Sequence, residues 1–333
     1  MQKLRFGVMG VAKIAREKVI PPLQKASRCE VVAIASRDAE HAAAAAKKLG
    51  IPRAHGSYEA LLADPEVDAV YIPLPNHLHV EWSRRAAEAG KLVLCEKPLG
   101  LTAEDAASLI AVRDRTGKVI QEAFMVRTHP QWLKAREIVR SGRLGTLRAI
   151  QGWFSYHLTD PANVRNVREW GGGGLLDIGC YPITTSRFVT DREPTRVAAL
   201  IDRDPTSGID RQGSVILDFG DVQSSFGYGT QMVPRQTMQF FGDKGRLEVE
   251  VPFNAPVDRP CRLALYQGPG LGDVPAEVIE IPTCDQYGIM GDAFAAAVQD
   301  GTPPPVSLEN SVANMKVIDA CFRAAETGAW VAL

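Results

Sequence analysis

Through the first 124 residues, short continuous apolar runs alternate with alanine-rich helical stretches, and few folds accept that pattern. The runs are Phe6–Met9, Val31–Ala35, Ala69–Ile72, Leu92–Cys95 and Val119–Ala123. Helix candidates cover Glu40–Leu49, Glu81–Ala89 and Ala103–Thr116. A strand that is apolar on both faces must be covered on both faces, and crossover helices do this in a parallel sheet. The pattern predicts an α/β, doubly wound parallel sheet in residues 1–124.

Beyond Phe124 the pattern changes. A helix over Trp132–Ser141 precedes strand-like stretches at hairpin spacing. These are Leu147–Phe154, Arg196–Ile201, Ser214–Phe219, Gln223–Gly229, Thr237–Phe241, Gly245–Val251, Arg262–Tyr266 and Val278–Ile281. Turn signals such as Gly220-Asp221 and Gly242-Asp243 separate some of them, as in a mainly antiparallel sheet. Helices near Gly291–Gln299 and Leu308–Glu326 complete an expected α+β domain over 125–333.

Composition narrows the function. With 333 residues, 38 basic against 39 acidic side chains and a net charge of −1, nothing favours nucleic acid or an anionic membrane. No apolar run is long enough to span a bilayer, and the first strand begins too early for a signal peptide. The six cysteines show neither a C-x-x-C pair nor zinc-ligand spacing, so no metal and a reducing, cytoplasmic setting are expected.

The first strand runs into Gly10-Val11-Ala12-Lys13-Ile14-Ala15, a G-x-G-x-x-G/A dinucleotide turn with Ala12 at the second glycine position. Its methyl group shifts the phosphate outward, while amides at the helix start still hold an anion. Gly and Ala here also fit plain strand–helix packing. At the second strand tip, Ser36 and Arg37 offer a hydroxyl and a planar cation, which suits the 2′-phosphate of NADP. Asp38 follows, and presenting it instead would suit NAD. After the third run, Pro73-Leu74-Pro75-Asn76-His77-Leu78-His79 stiffens a loop. Asn76 and His79 either meet ribose or nicotinamide groups, or cap and open the next helix.

Glu96-Lys97-Pro98 directly follows the run Leu92–Cys95. A lysine at the carboxyl end of a parallel strand stands where such sheets bind ligands, and its ammonium can exchange the proton of a carbinol. The alternative is a solvated strand-end lysine. In the second half, Gly171-Gly172-Gly173-Gly174-Leu175-Leu176-Asp177-Ile178-Gly179-Cys180-Tyr181 places four glycines before a helix, which brings backbone amides close to a ligand. Asp177 and Tyr181 are four apart, a carboxylate and a phenol on one face. They either bind a polyol and relay a proton, or form a capped helix with a core tyrosine.

These landmarks together resemble the glucose–fructose oxidoreductase / inositol dehydrogenase family (Gfo/Idh/MocA) over essentially the whole chain. The resemblance implies an N-terminal Rossmann domain and a C-terminal domain on an open-faced antiparallel sheet. It implies that Lys97 is the catalytic lysine, Glu96 the acid near the nicotinamide ribose, and Asp177 the substrate-binding aspartate. Tyr181 stands where inositol dehydrogenases carry histidine and the glucose–fructose oxidoreductase branch carries tyrosine, which leans towards cyclic sugars. The Asn163-Val164-Arg165-Asn166 stretch, and Gly245–Val251 with Pro252-Phe253-Asn254, look most like the dimeric dihydrodiol dehydrogenase / D-xylose dehydrogenase branch, as does the departure at Ala12.

The expected activity is an NADP-dependent (or NAD-dependent) oxidoreductase of a sugar, polyol or dihydrodiol, with Lys97 and Tyr181 as proton relay. Cofactor contacts fall to Gly10, Ala12, Lys13, Ile14, Ser36, Arg37, Pro73, Asn76, His79, Glu96 and Lys97. Substrate contacts fall to Asp177, Tyr181, Arg127, His129, Arg165 and Trp170, lining a pocket between the halves. Two other classes stay open: a nicotinamide-binding sensor without turnover, and a lyase or glycosidase that uses the cofactor transiently. An open-faced sheet exposes apolar side chains, so a homodimer or homotetramer through the C-terminal domain is expected.

Overall fold

The computed structural model describes residues 2–268 and 275–333. The chain divides into two compact units, Met1–Thr128 with Asp285–Val312, and His129–Cys284 with Ala313–Leu333.

The first unit is built on six parallel strands: β1 (Leu4–Met9), β2 (Cys29–Ala35), β3 (Arg53–His55), β4 (Ala69–Ile72), β5 (Leu92–Cys95) and β6 (Ile120–Glu122). Their order is β3-β2-β1-β4-β5-β6, the doubly wound arrangement expected from the alternating pattern. The edge strand β3 was not anticipated, because Arg53-Ala54-His55 carries no apolar run and pairs on one side only. The crossover helices are α1 (Ile20–Lys25), α2 (Ala39–Leu49), α3 (Tyr58–Ala63), α4 (His79–Glu88) and α5 (Ala103–Thr116). Side chains of Asp38, Ser57 and Thr102 cap α2, α3 and α5, so their boundaries follow from local chemistry. Ile72 pairs with Cys95 and Cys95 with Glu122, so three strands end in step. The loops that follow them carry Asn76 and Lys97 out at one end of the sheet.

The second unit contains α6 (Pro130–Arg140), β7 (Leu147–His157), α7 (Cys180–Thr190), β8 (Arg196–Arg203), β9 (Asp210–Asp218), β10 (Gln223–Gly229), β11 (Gln231–Gly242), β12 (Gly245–Val249), β13 (Cys261–Gln267) and β14 (Glu277–Ile281). With β15 (Val331–Ala332) they form a nine-stranded sheet, ordered β14-β13-β12-β11-β7-β10-β9-β8-β15. Every pairing is antiparallel except β7 with β10. Alternation sorts the faces. Val197, Val215, Leu217 and Phe226 are buried on one, while Leu200 and Ile216 project from the other at 77% and 43% exposure. The two-residue β15 gave no sequence signal.

The last helices are α8 (Gln286–Asp300) and α9 (Leu308–Thr327). The sequence reading set α8 with the second half, yet it packs within the first unit. Phe294 meets Phe6 of β1 with ring centroids 5.9 Å apart. The Asp292 carboxylate accepts from the Ser27 and Arg28 backbone N–H groups at 3.0 and 2.7 Å. At Gly291 a Cβ would come within 2.2 Å of Leu23 Cδ2, so the helix lies very close to α1. Its apolar face completes the cover of the parallel sheet from more than 250 positions away, which no local pattern can announce.

Phe294 is fully buried, and Phe294→Ala is expected to lower the unfolding free energy by about 3–5 kcal/mol. Urea denaturation followed by circular dichroism measures it. A loss under about 1 kcal/mol would mean that α8 is not part of this core.

Candidate active site

In the first unit the site begins at the β1 end. Gly10 has φ +107°, and a Cβ there would lie 3.0 Å from Leu74 Cδ2 and 3.6 Å from the Tyr58 hydroxyl. Only glycine fits that backbone and that space. Its N–H donates to Ala35 O at 2.9 Å. Ala12 accepts from Arg16 N at 3.1 Å, so a helical turn starts at once. Its carbonyl is engaged, and Lys13 stands exposed between half-buried Ala12 and Ile14. Ala15, at the third position of the fingerprint, is fully buried, as close helix–sheet packing requires.

At the β2 tip, Ser36 Oγ accepts from Asp38 N at 3.2 Å. The Asp38 carboxylate accepts from Glu40 N and His41 N at 2.9 and 3.1 Å as the cap of α2. The acidic rival is therefore engaged as the helix cap, and Arg37 is an exposed cation at this tip. Tyr58, which the sequence reading missed, joins them. Burial raises its pKa, and the neighbouring Arg37 cation pulls it back. Gly10, Arg37 and the Tyr58 hydroxyl thus converge. Together they suit a dinucleotide: a tight turn, a helix start for the pyrophosphate and a cation at the strand tip.

The β4 and β5 ends hold the next group. Glu96 N donates to Ile72 O at 3.0 Å, and the Tyr71 hydroxyl donates to Glu96 Oε1 at 2.6 Å. Burial, followed by the Glu96 charge, raises the Tyr71 pKa, so the phenol stays protonated. Lys97 and Glu96 are half-buried, Pro73 is buried, and the Lys97–Pro98 peptide is cis. Leu99 N donates to the buried Glu122 at 3.0 Å. Asn76 opens a single 3₁₀ turn, Asn76–Leu78, that leads directly into α4.

His79 departs from expectation. It is fully buried, with Nδ1 2.7 Å from Pro98 O and Nε2 2.7 Å from Leu74 O. Burial lowers its pKa to about 4, against the pull of the two carbonyls. A ring so enclosed cannot reach a nucleotide. It braces the Asn76 loop against the Lys97 loop instead.

In the second unit, the glycine run proves to be packed against protein. A Cβ at Gly172 would lie 2.6 and 2.7 Å from the Arg165 and Val167 carbonyls. At Gly173 it would fall 2.0 Å from Asp210 Oδ1, and at Gly174 2.6 Å from the Tyr228 ring. The expected approach of these glycines to a ligand is corrected: protein atoms occupy that space. The run leads into a widened, π-type turn over Leu175–Gly179 and then α7.

Asp177 sits in that widened turn. Its Oδ2 accepts from the Tyr156 hydroxyl at 2.6 Å and from Arg165 Nε at 2.9 Å. The Asp177 charge raises the Arg165 pKa, and burial raises that of Tyr156, so one stays cationic and the other protonated. Tyr181 is also among the groups that act on Arg165. The Tyr181 ring packs against Phe154 and Phe253 at 5.6 and 5.2 Å. Asp177, Tyr181 and Arg165 therefore stand together. Tyr156 was missed because only the fold of β7 brings it to Asp177.

The other candidates separate. Arg127 donates to Asn310 at 2.8 Å, and Trp170 is 42% exposed. His129 is fully buried; its Nδ1 accepts from Gln131 N at 3.1 Å to cap α6, and Nε2 lies 3.4 Å from Cys284 Sγ. It is a helix cap, not a sugar ligand, because both ring nitrogens face protein.

Two family models match: the oxidoreductase family with NAD-binding Rossmann fold over residues 4–124, and the GFO/IDH/MocA C-terminal domain over 132–248. The chain belongs to the Gfo/Idh/MocA oxidoreductase family. It is 49% identical to an uncharacterized oxidoreductase of Rhizobium meliloti, with 99% of each chain covered. To the NADP(+)-dependent D-xylose 1-dehydrogenase 2 of Haloferax volcanii it is 41% identical, covering 99% of this chain and 100% of that one. A 3-ketoreductase from Actinomadura kijaniata, solved with NADP and TDP-benzene, superposes with a TM-score of 0.89 at 31% identity, covering 97% and 98% of the two chains. The chain is thus a Gfo/Idh/MocA oxidoreductase with an NAD-binding Rossmann fold, related to enzymes of sugar oxidation and reduction. No helix among the described residues is long and apolar enough to cross a membrane, and no metal-binding cluster occurs among them.

Burial lowers the His129 pKa to about 4, below its unfolded value of about 6.5. This contribution to stability is full above pH 6.5 and is lost as pH falls towards 4. Between pH 7 and 5 it amounts to about 2 kcal/mol. His129→Asn keeps a capping acceptor and removes the titration. Urea denaturation at both pH values should therefore give the variant a smaller acid loss than wild type, and equal losses would refute the assignment.

Proposed function

We propose that the chain is an NADP-dependent dehydrogenase or reductase of a sugar or polyol, in which Lys97 and Tyr181 handle the hydroxyl proton and Asp177 orients the substrate. The observation that carries this reading is the Asp177 cluster. Tyr156 and Arg165 both donate to Oδ2, holding an ionised carboxylate at a fixed angle beside Tyr181. An ionised carboxylate accepts from sugar hydroxyls, and the phenol exchanges a proton with the oxygen that reacts.

When bound, the nicotinamide accepts or supplies the hydride. Gly10, the helix start after Ala12, Ser36, Arg37 and Tyr58 bind the dinucleotide, and the commitment of Asp38 to its helix favours the 2′-phosphate. Pro73, Asn76 and Glu96 border the nicotinamide end, with Glu96 held by Tyr71. Lys97 takes the carbinol proton in oxidation and returns it in reduction, directly or through Tyr181. Arg127 and Trp170 are proposed outer substrate contacts.

On the exposed sheet face, Ala198, Leu200, Ile216, Gly227 and Trp153 line a shallow depression of about 440 Å³. Leu200 and Ile216 are exposed on this face among Gln151, Ser214 and Ser225, and a homodimer or homotetramer that covers them through this sheet is proposed. The six cysteines form no disulfide with one another and five of them are buried, which suits a reducing cytoplasm.

Reduced-nicotinamide absorbance over a panel of aldoses, polyols and dihydrodiols, starting from D-xylose, tests the activity. Lys97→Met should lower kcat by about 10²–10⁴-fold while the NADP Kd stays within about threefold. Retained turnover would remove Lys97 from the chemistry. Light scattering on size exclusion should show a dimer or tetramer, and Leu200→Arg should shift it towards monomer. A wild-type monomer would sink the assembly.

A further inference from the structure

Asp210 is a carboxylate that the proposed chemistry does not use, and it is 2% exposed. It opens β9, and its Oδ2 accepts from Leu175 N at 2.6 Å and from the Tyr228 hydroxyl at 2.8 Å. Leu175 is the first residue of the widened turn that carries Asp177. The Tyr228 ring fills the space that a Cβ at Gly174 or Gly213 would take, at 2.6 Å from each. The carboxylate fills the corresponding space at Gly173.

We propose that Asp210, seated by Tyr228, is a positioning residue for the substrate side: it anchors the Leu175 amide and so fixes where Asp177 and Tyr181 stand. This rests on the reading of those two as substrate-side groups. A buried carboxylate is a costly way to close a helix start, since burial without a partner cation disfavours its charge. Burial in fact raises the Asp210 pKa to about 6, against the hydrogen bonds from Leu175 and Tyr228 and the charge of Arg203. Stability alone does not call for such a group. A short anchor in a single geometry does, because the N–H and O–H donors meet on one oxygen and the three glycines leave no slack around it.

Asp210→Ala, Asp210→Asn and Tyr228→Phe test the anchor, read through kcat/KM for the sugar that the panel identifies and through the NADP Kd. Asp210→Ala should lower kcat/KM by about 30–100-fold with the NADP Kd within about twofold. Asp210→Asn, which keeps an acceptor in the same place, should recover to within about fivefold of wild type. Tyr228→Phe keeps the ring and should lose about five- to tenfold. In a Tyr181→Phe background, Asp210→Ala should add little, because the two act through one geometry.

Native hydrogen exchange at the Leu175 amide supplies a readout without substrate: protected in wild type and Asp210→Asn, fast in Asp210→Ala. If Asp210→Ala does not fold, Tyr228→Phe and Asp210→Asn decide by the same two readouts. Unchanged sugar kinetics and unchanged exchange overturn the anchor, as does an Asp210→Asn no better than Asp210→Ala. If Asp177→Asn and Tyr181→Phe leave turnover intact, the reading of the substrate side fails instead.

Discussion

The hydrogen-bond ladder joining β4, β5 and β6 sets where Asn76, Glu96 and Lys97, the proposed cofactor-side groups, can stand. Parallel strands bond in a slanted, even register, so the pairing of Ile72 with Cys95 and of Cys95 with Glu122 fixes three chain exits at one level. Glu96 continues the ladder by donating to Ile72 O. His79 then ties two of the exits together through Leu74 O and Pro98 O, and Glu122 holds the Leu99 amide. Lys97 sits inside this frame on a loop whose backbone is held on both sides. Its reach is decided by main-chain geometry before any ligand arrives.

The second unit reaches the same end by other means. Its sheet supplies a broad wall, and the widened turn before α7 lifts Asp177 out of regular helical spacing. Tyr156 from β7 and Arg165 from the loop before the glycine run meet on one carboxylate oxygen. Two donors on one oxygen hold a carboxylate more firmly than either alone, and charge assistance makes the Arg165 bond the stronger kind. The phenylalanines around Tyr181 give its ring a packed, apolar seat.

Where periodicity is strong, the sequence was a good guide. The alternation of apolar runs foretold five of the strands of the parallel sheet, and strand-like stretches at hairpin spacing foretold the mainly antiparallel character of the other. Glu96-Lys97-Pro98 and the segment ending at Tyr181 carried the family resemblance because unusual residue types sit at fixed spacing, and the proposed chemistry is built on them. What escaped was tertiary. β3 is too short and polar to register, and α8 returns to β1 from the far end of the chain. His79 and His129 have the residue type of ligands, yet burial turns them into a brace and a cap. Tyr58, Tyr71, Tyr156 and Asp210 act through partners that only folding brings near.

The fit between Gly173 and Asp210 also bears on how such a chain can change. With φ +124° and an Asp210 oxygen 2.0 Å from where a side chain would begin, position 173 admits no ordinary replacement while Asp210 is present. Replacing Asp210 first with a residue that lacks an acceptor would release the Leu175 amide, whereas asparagine would keep it held. Position 173 offers no easy first step, and position 210 offers only one that keeps a hydrogen-bond acceptor. Mutational drift is therefore narrowed at this pair, and new substrate preferences have more room to arise from residues outside it.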